Sequence, residues 1–418
     1  MKFVHAADLH LDSPLAGLDR YEGAPVELLR SATRRAMENL VQWCIQEEAQ
    51  LLLLAGDLFD GDWKDYSTGL FFIAQMNRLR QQGIRVVLVK GNHDAASQIS
   101  KALALPDNVT ELSHQHPQSV AFDELGICVH GQSYARREET RDLAADYPEA
   151  RSGYLNVGLL HTCVTGRPGH EPYAPCKLDV LLGKGYDYWA LGHVHQREVL
   201  CESPWVVFSG NLQGRHVRET GAKGATLVRA ESGRIVGVEH QPLDVVRFER
   251  LTVAAEMEAD WDDVLQQASE AVERAADQCG ERTLVVRVEL VGSTAAHAAL
   301  NQDVERCEAE LRSRALDLER VWVERVRIRT RPVHDVARLL QRQDAIGQLM
   351  RHLRELGQDP EQLQATFAPY QELLAKLPPE ARMTEDGARW DDTETWVATL
   401  EEVERLLVTR LLHDGEWE

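Results

Sequence analysis

The sequence predicts an α/β fold of two packed sheets with helices outside, then a small α+β domain and a helical C-terminal segment. Three observations carry this expectation. Short apolar runs alternate with helical stretches over the first 90 residues, many short strands follow up to residue 245, and the pattern is helical from 333 onward. A β-α-β-α-β order calls for a parallel sheet with helices packed on it.

Lys2–Ala7 reads as a strand. Within Pro25–Glu48, Leu29, Ala32, Ala36, Leu40 and Trp43 recur at three- and four-residue spacing, as on one face of a helix. Gln50–Ala55 carries the unbroken run Leu51 to Ala55, suited to a strand buried on both faces. Tyr66–Gln82 returns to helix and ends near Gly83; Ile84–Val89 is another buried strand. Short strands follow at Ser119–Phe122, Gly126–His130, Leu155–Leu160, Asp187–Leu191, Trp205–Ser209, Ala225–Arg229 and Ile235–His240. Residues 246–332 form the expected α+β domain: Leu284, Val286, Val288 and Leu290 alternate as a strand, Val321, Val323, Val326 and Ile328 mark another, and Trp261–Gln278 and Ala296–Arg314 read as helices. In 333–418 the helices carry Leu339, Ile346, Leu349 and Leu353, then Leu363, Phe367, Tyr370 and Leu374. Beyond Pro378-Pro379 and a polar stretch to Asp392, a last helix carries Trp396, Leu400, Val403 and Leu407.

Composition removes several classes. Lys+Arg number 46 against 67 Asp+Glu, a net charge of −21, so DNA would need local basic patches, a metal or a partner. Seven scattered cysteines without a C-x-x-C argue against a disulfide framework or structural zinc and suit a reducing, cytoplasmic setting. Asp8 interrupts the apolar start too early for a signal peptide, and no apolar run is long enough for a bilayer, so no membrane association is expected.

Five short segments each follow a predicted strand: Asp8-Leu-His10, Gly56-Asp57-Leu-Phe-Asp60, Gly91-Asn92-His93-Asp94, Leu160-His161-Thr162 and Gly192-His193-Val-His195. Ligands of open α/β sheets bind at the carboxyl ends of the strands, so these segments should converge. Imidazoles, carboxylates and an amide carbonyl make a mixed N/O donor set, suited to Mn²⁺, Fe²⁺ or Zn²⁺ rather than Ca²⁺. There are too many donors for one ion; two ions about 3.5–4 Å apart would use them and clamp an in-line attack on phosphorus. Taken singly, several have plainer readings: Asp57 as a turn cap, Asn92 as a turn residue, and His193 and His195 as alternating positions on a strand. His5, Asp12, His130, His170 and His216 read as structural or supporting residues, and Cys163 as a packed thiol. Arg215, His216 and Arg218 are either near substrate phosphate or on a solvated face.

All five segments in this order resemble the calcineurin-like metallophosphoesterase superfamily. The start AADLHLDSP, the GDLFD, GNHD and GHVH segments and the long C-terminal extension look most like its DNA-repair exonuclease branch, which includes SbcD and the YhaO-like proteins. The resemblance implies a four-layer α-β-β-α sandwich. It implies one ion on Asp8, His10 and His195, a second on Asn92, His161 and His193, Asp57 shared between them, and His93 as the catalytic histidine outside the ligand set. Mn²⁺ is the expected metal. Asp60 and Asp94 compete as partner of His93, and Asp60 is preferred. Archaeal repair nucleases carry His where this chain has Asp60; an Asp there resembles the phosphatases, whereas Gly61 departs from the protein-phosphatase pattern.

The implied function is a two-metal DNA phosphodiesterase, a 3′→5′ exonuclease with possible endonuclease action, serving as nuclease subunit beside a coiled-coil SMC-like ATPase. The alternatives are a small-molecule phosphodiesterase or phosphatase, and a DNA-end-binding scaffold. A homodimer is expected through helices 25–48 and 66–82, where Trp43, Phe71, Phe72 and Met76 exceed one narrow stripe; filling the domain's own core is the competing explanation. The Trp396 face of the last helix is expected either to dock the ATPase or to fold back on residues 334–377.

Overall fold

The computed structural model describes residues 1–13, 25–60, 66–96, 104–164, 174–333, 336–374, 376–377, 382, 389–390 and 392–413. Gly61, His170, Pro378 and Pro379 lie outside the described residues. The chain forms two compact units, residues 1–248 with 281–284, and residues 249–280 with 285–418.

The first unit contains β1 (Lys2–Ala6), α1 (Val26–Gln46), β2 (Leu51–Ala55), α2 (Ser67–Gln81), β3 (Arg85–Val89), α3 (Asn92–Ala96), β4 (Val109–Glu111), β5 (Gln118–Phe122), β6 (Ile127–Gly131), β7 (Leu155–His161), α4 (Leu178–Gly183), β8 (Tyr188–Gly192), β9 (Glu198–Glu202), β10 (Trp205–Phe208), β11 (Gly224–Glu231) and β12 (Arg234–Pro242). Its strands form two six-stranded sheets, β12-β11-β1-β2-β3-β4 and β5-β6-β7-β8-β10-β9. In the first, β1 to β4 are parallel and β11 and β12 antiparallel; in the second, β6, β7, β8 and β10 are parallel between antiparallel edges β5 and β9.

The apolar runs are continuous because both strand faces are buried. In β2, Leu52 and Leu54 pack with Met37, Leu40, Phe72 and Met76 of the helices, while Leu51, Leu53 and Ala55 meet Val129, Val157, Leu159 and Ala190 of the other sheet. Trp189, Leu191, Val206 and Phe208 form a third apolar layer with Leu181 of α4. Phe72 and Met76 are fully buried and Trp43 and Phe71 pack against the same core. These four residues of α1 and α2 therefore pack on this domain's own core, while Leu70 of α2 is 63% exposed.

Some elements differ from expectation. β4 is a three-residue, half-exposed strand, and β9 is an edge strand without a clean inside–outside alternation, so neither left a period to read. The GNHD segment is not a free turn: Asn92 begins α3. His193 and His195 are not on a strand, since β8 ends at Gly192 and His193 has φ 98°.

The second unit holds the three-stranded sheet of β13 (Val246–Ala254), β14 (Thr283–Ser293) and β15 (Val321–Arg331), with α5 (Trp261–Cys279), α6 (His297–Gln302) and α7 (Val304–Ala315). An Asp260–Asp263 capping box starts α5. The single helix expected over 296–314 is two, broken where the Asp303 side chain accepts the Arg306 N–H and caps α7. The tail contains α8 (Val336–Gln341), α9 (Ala345–Gln358), α10 (Pro360–Leu374) and α11 (Thr393–His413). Among the described residues no helix is long and apolar enough to cross a membrane.

The Trp396 end of the apolar face of α11 packs on the chain's own helices. Trp396 stacks on Phe367 with ring centroids 5.3 Å apart, packs with Leu356, Leu363 and Leu400, and donates its indole N–H to the Trp390 carbonyl at 2.7 Å. The helix folds back on α9 and α10. Trp396→Ala should therefore destabilise the second unit by about 3–5 kcal/mol, the usual cost of deleting a buried Trp. Urea unfolding followed by circular dichroism checks this; an unchanged midpoint would return the face to solvent.

Candidate metal centre

Three of the five motif segments leave their strands through strained backbone. Asp8, His10, Asp57 and His193 all have positive φ (51°, 41°, 51° and 98°), a region that costs non-glycine residues roughly 1–3 kcal/mol each. The strain is held by the framework. Asp8 N–H donates to the Gly56 carbonyl at 3.0 Å and His10 N–H to the Asp57 carbonyl at 3.1 Å, while the Asp8 carboxylate accepts the His193 N–H. Two glycines leave the necessary room. A Cβ on Gly91 would lie 2.3 Å from Asp57 Oδ1, and one on Gly56 (φ 89°) would lie 2.6 Å from His161 Nδ1.

Among the described residues, ligand-type atoms gather in three groups, each within 4.8 Å: Asp8, His10 and His195; Asp8, Asp57 and His161; and His10, Asp60 and His93. Asn92 joins the second, with Oδ1 3.0 Å from His161 Nε2. His193 lies beside it, its ring centroid 5.3 Å from that of His161. The seven proposed ligands thus come together. Asp8, rather than Asp57, is the carboxylate common to the first two groups.

The donor set fits divalent cations. His161 Nδ1–H donates to the Ala55 carbonyl at 2.9 Å, which turns the lone pair of a neutral Nε2 towards two more acceptors, Asn92 Oδ1 at 3.0 Å and Asp57 Oδ2 at 3.4 Å. A positive charge among them would reconcile three acceptors at that range. Burial opposes a proton on His161, but the Asp57 carboxylate overcomes this and pushes the imidazole up to about 9. A metal ion can replace that proton. Likewise His10 Nε2 and His195 Nε2 face each other at 3.2 Å, close to Asp8. Burial raises Asp8. Burial would also raise Asp57, but the charge of His161 outweighs it and holds Asp57 well below the usual carboxylate range.

His93 stands apart. Its side chain is 31% exposed, close to the 27% of His195 and unlike His10 and His161 at 1% or less. Its Nδ1 lies 2.6 Å from Asp60 Oδ1. Burial disfavours its charged form, yet the bond to Asp60 raises its pKa above the ordinary value. Asp60 is itself lowered, the His93 bond outweighing its burial. Asp94 is not the partner of His93. It is buried, accepts the backbone N–H groups of Leu58, Phe59 and Gly91 at 3.0 Å each, and so ties the loop after β2 to the end of β3; burial pushes it up to about 7.

Sequence reasoning missed Glu219, Asn211 and Lys223, which lie between β10 and β11. Glu219 Oε1 is 2.7 Å from His195 Nδ1, and Lys223 Nζ donates to the His195 carbonyl at 2.9 Å. Arg215 lies between Asp60 and Glu219 rather than on a solvated face. None sits in a strand-end motif; only their proximity to His195 reveals them. His5 bonds Tyr188, Asp12 pairs with Arg34 and Thr68, and His130 bonds Ser119 and Asn156, all structural contacts. Cys163 is a buried thiol.

Gly91→Ala should distort this centre. Since its Cβ would overlap Asp57, bound divalent metal should fall sharply by elemental analysis while the far-UV spectrum keeps the α/β fold. Full metal content in that variant would show that the close approach is dispensable.

Residues 1–197 match the calcineurin-like phosphoesterase family, and residues 248–331 match the middle domain of metallophosphoesterase YhaO. The chain is similar to an uncharacterized metallophosphoesterase YhaO of Bacillus subtilis, 37% identical over 257 residues that cover 60% of this chain and 63% of that protein. It is also similar to the DNA double-strand break repair protein Mre11 of Methanopyrus kandleri, 24% identical over 352 residues covering 76% of this chain and 72% of that protein. The protein of the same description from Sulfurisphaera tokodaii is 24% identical over 262 residues, 58% and 63% of the two chains. The match thus spans just under two thirds of the Bacillus relative. With a centre built for divalent cations and both domain matches in sequence order, residues 1–197 form a calcineurin-like phosphoesterase domain and residues 248–331 a YhaO-type middle domain.

Proposed function

We propose that this phosphoesterase is a two-metal DNA phosphodiesterase that removes nucleotides from DNA ends, with 3′→5′ polarity and Mn²⁺ as metal. The observation that carries the chemistry is the His93–Asp60 pair beside the ligand cluster. Asp60 takes His93 Nδ1–H, which leaves Nε2 to deliver a proton to the departing oxygen. His93 is 31% exposed, as a residue that meets substrate would be. Asp8, His10 and His195, with Asn92, Asp57, His161 and His193, would hold the ions. Bound divalent ions supply Lewis-acid charge to the phosphate and acidify water.

The DNA reading is supported by similarity to the Mre11 repair proteins, one alignment extending over 76% of the chain. The net charge of −21 argues against unaided DNA binding. We therefore keep a coiled-coil SMC-like ATPase as the proposed partner, in a cytoplasmic complex. The second reading, a small-molecule phosphodiesterase or phosphatase, draws on Asp60, which stands where the archaeal repair nucleases carry His.

The deciding experiment is Mn²⁺-dependent digestion of 3′- or 5′-labelled linear DNA beside bis-p-nitrophenyl phosphate. Stepwise loss from the 3′ end supports the nuclease; turnover of the small diester alone favours the second reading. His93→Ala should retain its metal and lose about 10²–10⁴-fold in kcat, the usual range for positioned acid–base catalysis. Asp60→Asn should lower the rate at full metal content. Loss of metal from the His93 variant would make His93 a ligand instead.

A further inference from the structure

The Glu219 carboxylate is unusually crowded with donors. Oε1 receives His195 Nδ1–H at 2.7 Å and Arg215 Nη2 at 2.9 Å. Oε2 receives the Arg215 backbone N–H at 2.8 Å, Asn211 Nδ2 at 2.9 Å and Arg215 Nε at 3.4 Å. Five donors meet a group with about four lone-pair sites, so its position is fully determined. Arg215 then reaches across the centre: Nη1 donates to Asp60 Oδ2 at 3.3 Å, on the same carboxylate that holds His93 and that receives the Ser13 hydroxyl at 2.6 Å. The result is a continuous chain of alternating charge, His93–Asp60–Arg215–Glu219–His195.

Two roles compete for Arg215. As a substrate clamp it would present a free fork to phosphate. Its Nε, Nη1 and Nη2 are each already engaged by one of two carboxylates and its side chain is only 17% exposed, so most of its fork is committed inside the protein. The geometry fits a tie, not a clamp. Glu219 accepts Nδ1–H of His195, which fixes the tautomer whose Nε2 lone pair faces Asp8 and His10.

We propose that Glu219 and Arg215 are positioning residues that lock His195 to the His93–Asp60 pair, so that metal binding and proton delivery are set by one network. This rests on the metallophosphodiesterase reading for its activity arm, but not for its metal-binding arm. Neither residue belongs to the five motif segments.

The test uses the full chain, Mn²⁺ binding followed by electron paramagnetic resonance, and kcat and KM for bis-p-nitrophenyl phosphate. Glu219→Gln, which turns amide donors towards Asn211 and Arg215, should weaken Mn²⁺ binding by roughly 10–100-fold, the usual effect of losing a ligand's supporting partner, and recover most of kcat at saturating Mn²⁺. Arg215→Ala should lower kcat at least tenfold with KM within about threefold, and Arg215→Lys, which keeps a cation between the carboxylates, should restore part of that loss. Thermal melting identifies unfolded variants, and if Glu219→Gln does not fold, the Arg215→Lys and Arg215→Ala pair carries the test. Wild-type Mn²⁺ affinity in a folded Glu219→Gln protein would overturn the proposal, as would an Arg215→Ala enzyme with raised KM and intact kcat. If the wild type cleaves no diester, the functional reading fails while the Mn²⁺ isotherms still decide the positioning pair.

Discussion

The centre of this molecule depends on an excess of lone pairs with nowhere to go. His161 is anchored through Nδ1 to the Ala55 carbonyl, so its other nitrogen must face the Asn92 amide oxygen and the Asp57 carboxylate. Asp8 adds a buried carboxylate to the same volume, and two further imidazoles face each other alongside. Acceptors at these separations repel unless positive charge lies among them. Without metal, a proton on His161 partly answers the need; divalent ions answer it fully.

Such an arrangement is costly to build, and the sandwich is what holds it. Strained residues persist only where the surroundings over-determine them. Here the surroundings are two six-stranded sheets whose central strands bury apolar side chains on both faces, so the strand ends that carry Asp8, Asp57 and His193 have little freedom. Asp94 reinforces this by bonding three backbone N–H groups across two neighbouring strand ends. Its identity as a motif residue misleads: it shapes the loop, while Asp60 serves His93.

The segment between β10 and β11 completes the centre from outside the motifs. Asn211 and Lys223 fix the His195 carbonyl, Glu219 fixes its ring, and Arg215 links that ring to Asp60. A ligand in an irregular bend needs such support, because no strand ladder orients it. In the second unit, burial of Trp396 against Phe367 shows the same economy: the Trp396 end of a face that looks available in a linear reading is covered by the chain itself.

What the sequence by itself determined was the existence of the central strands and the chemistry at their ends. Leu51 to Ala55 reads as a doubly buried strand, and Asp8, His10, Asp57, Asn92, His161, His193 and His195 advertise a metal site because residue type and strand-end position are local properties. The tertiary structure alone decided the relations between distant segments. It chose Asp60 over Asp94 for His93, placed Asp8 in two ligand groups, set His193 and His195 in a bend rather than a strand, packed Trp43, Phe71, Phe72 and Met76 on the domain's own core, and brought Glu219 and Arg215 to His195. Each depends on which side chains meet across sheets, loops or helices far apart in the chain. Periodicity reports the face a residue lies on, but not what covers that face, and a single Glu or Arg in a loop carries no period at all.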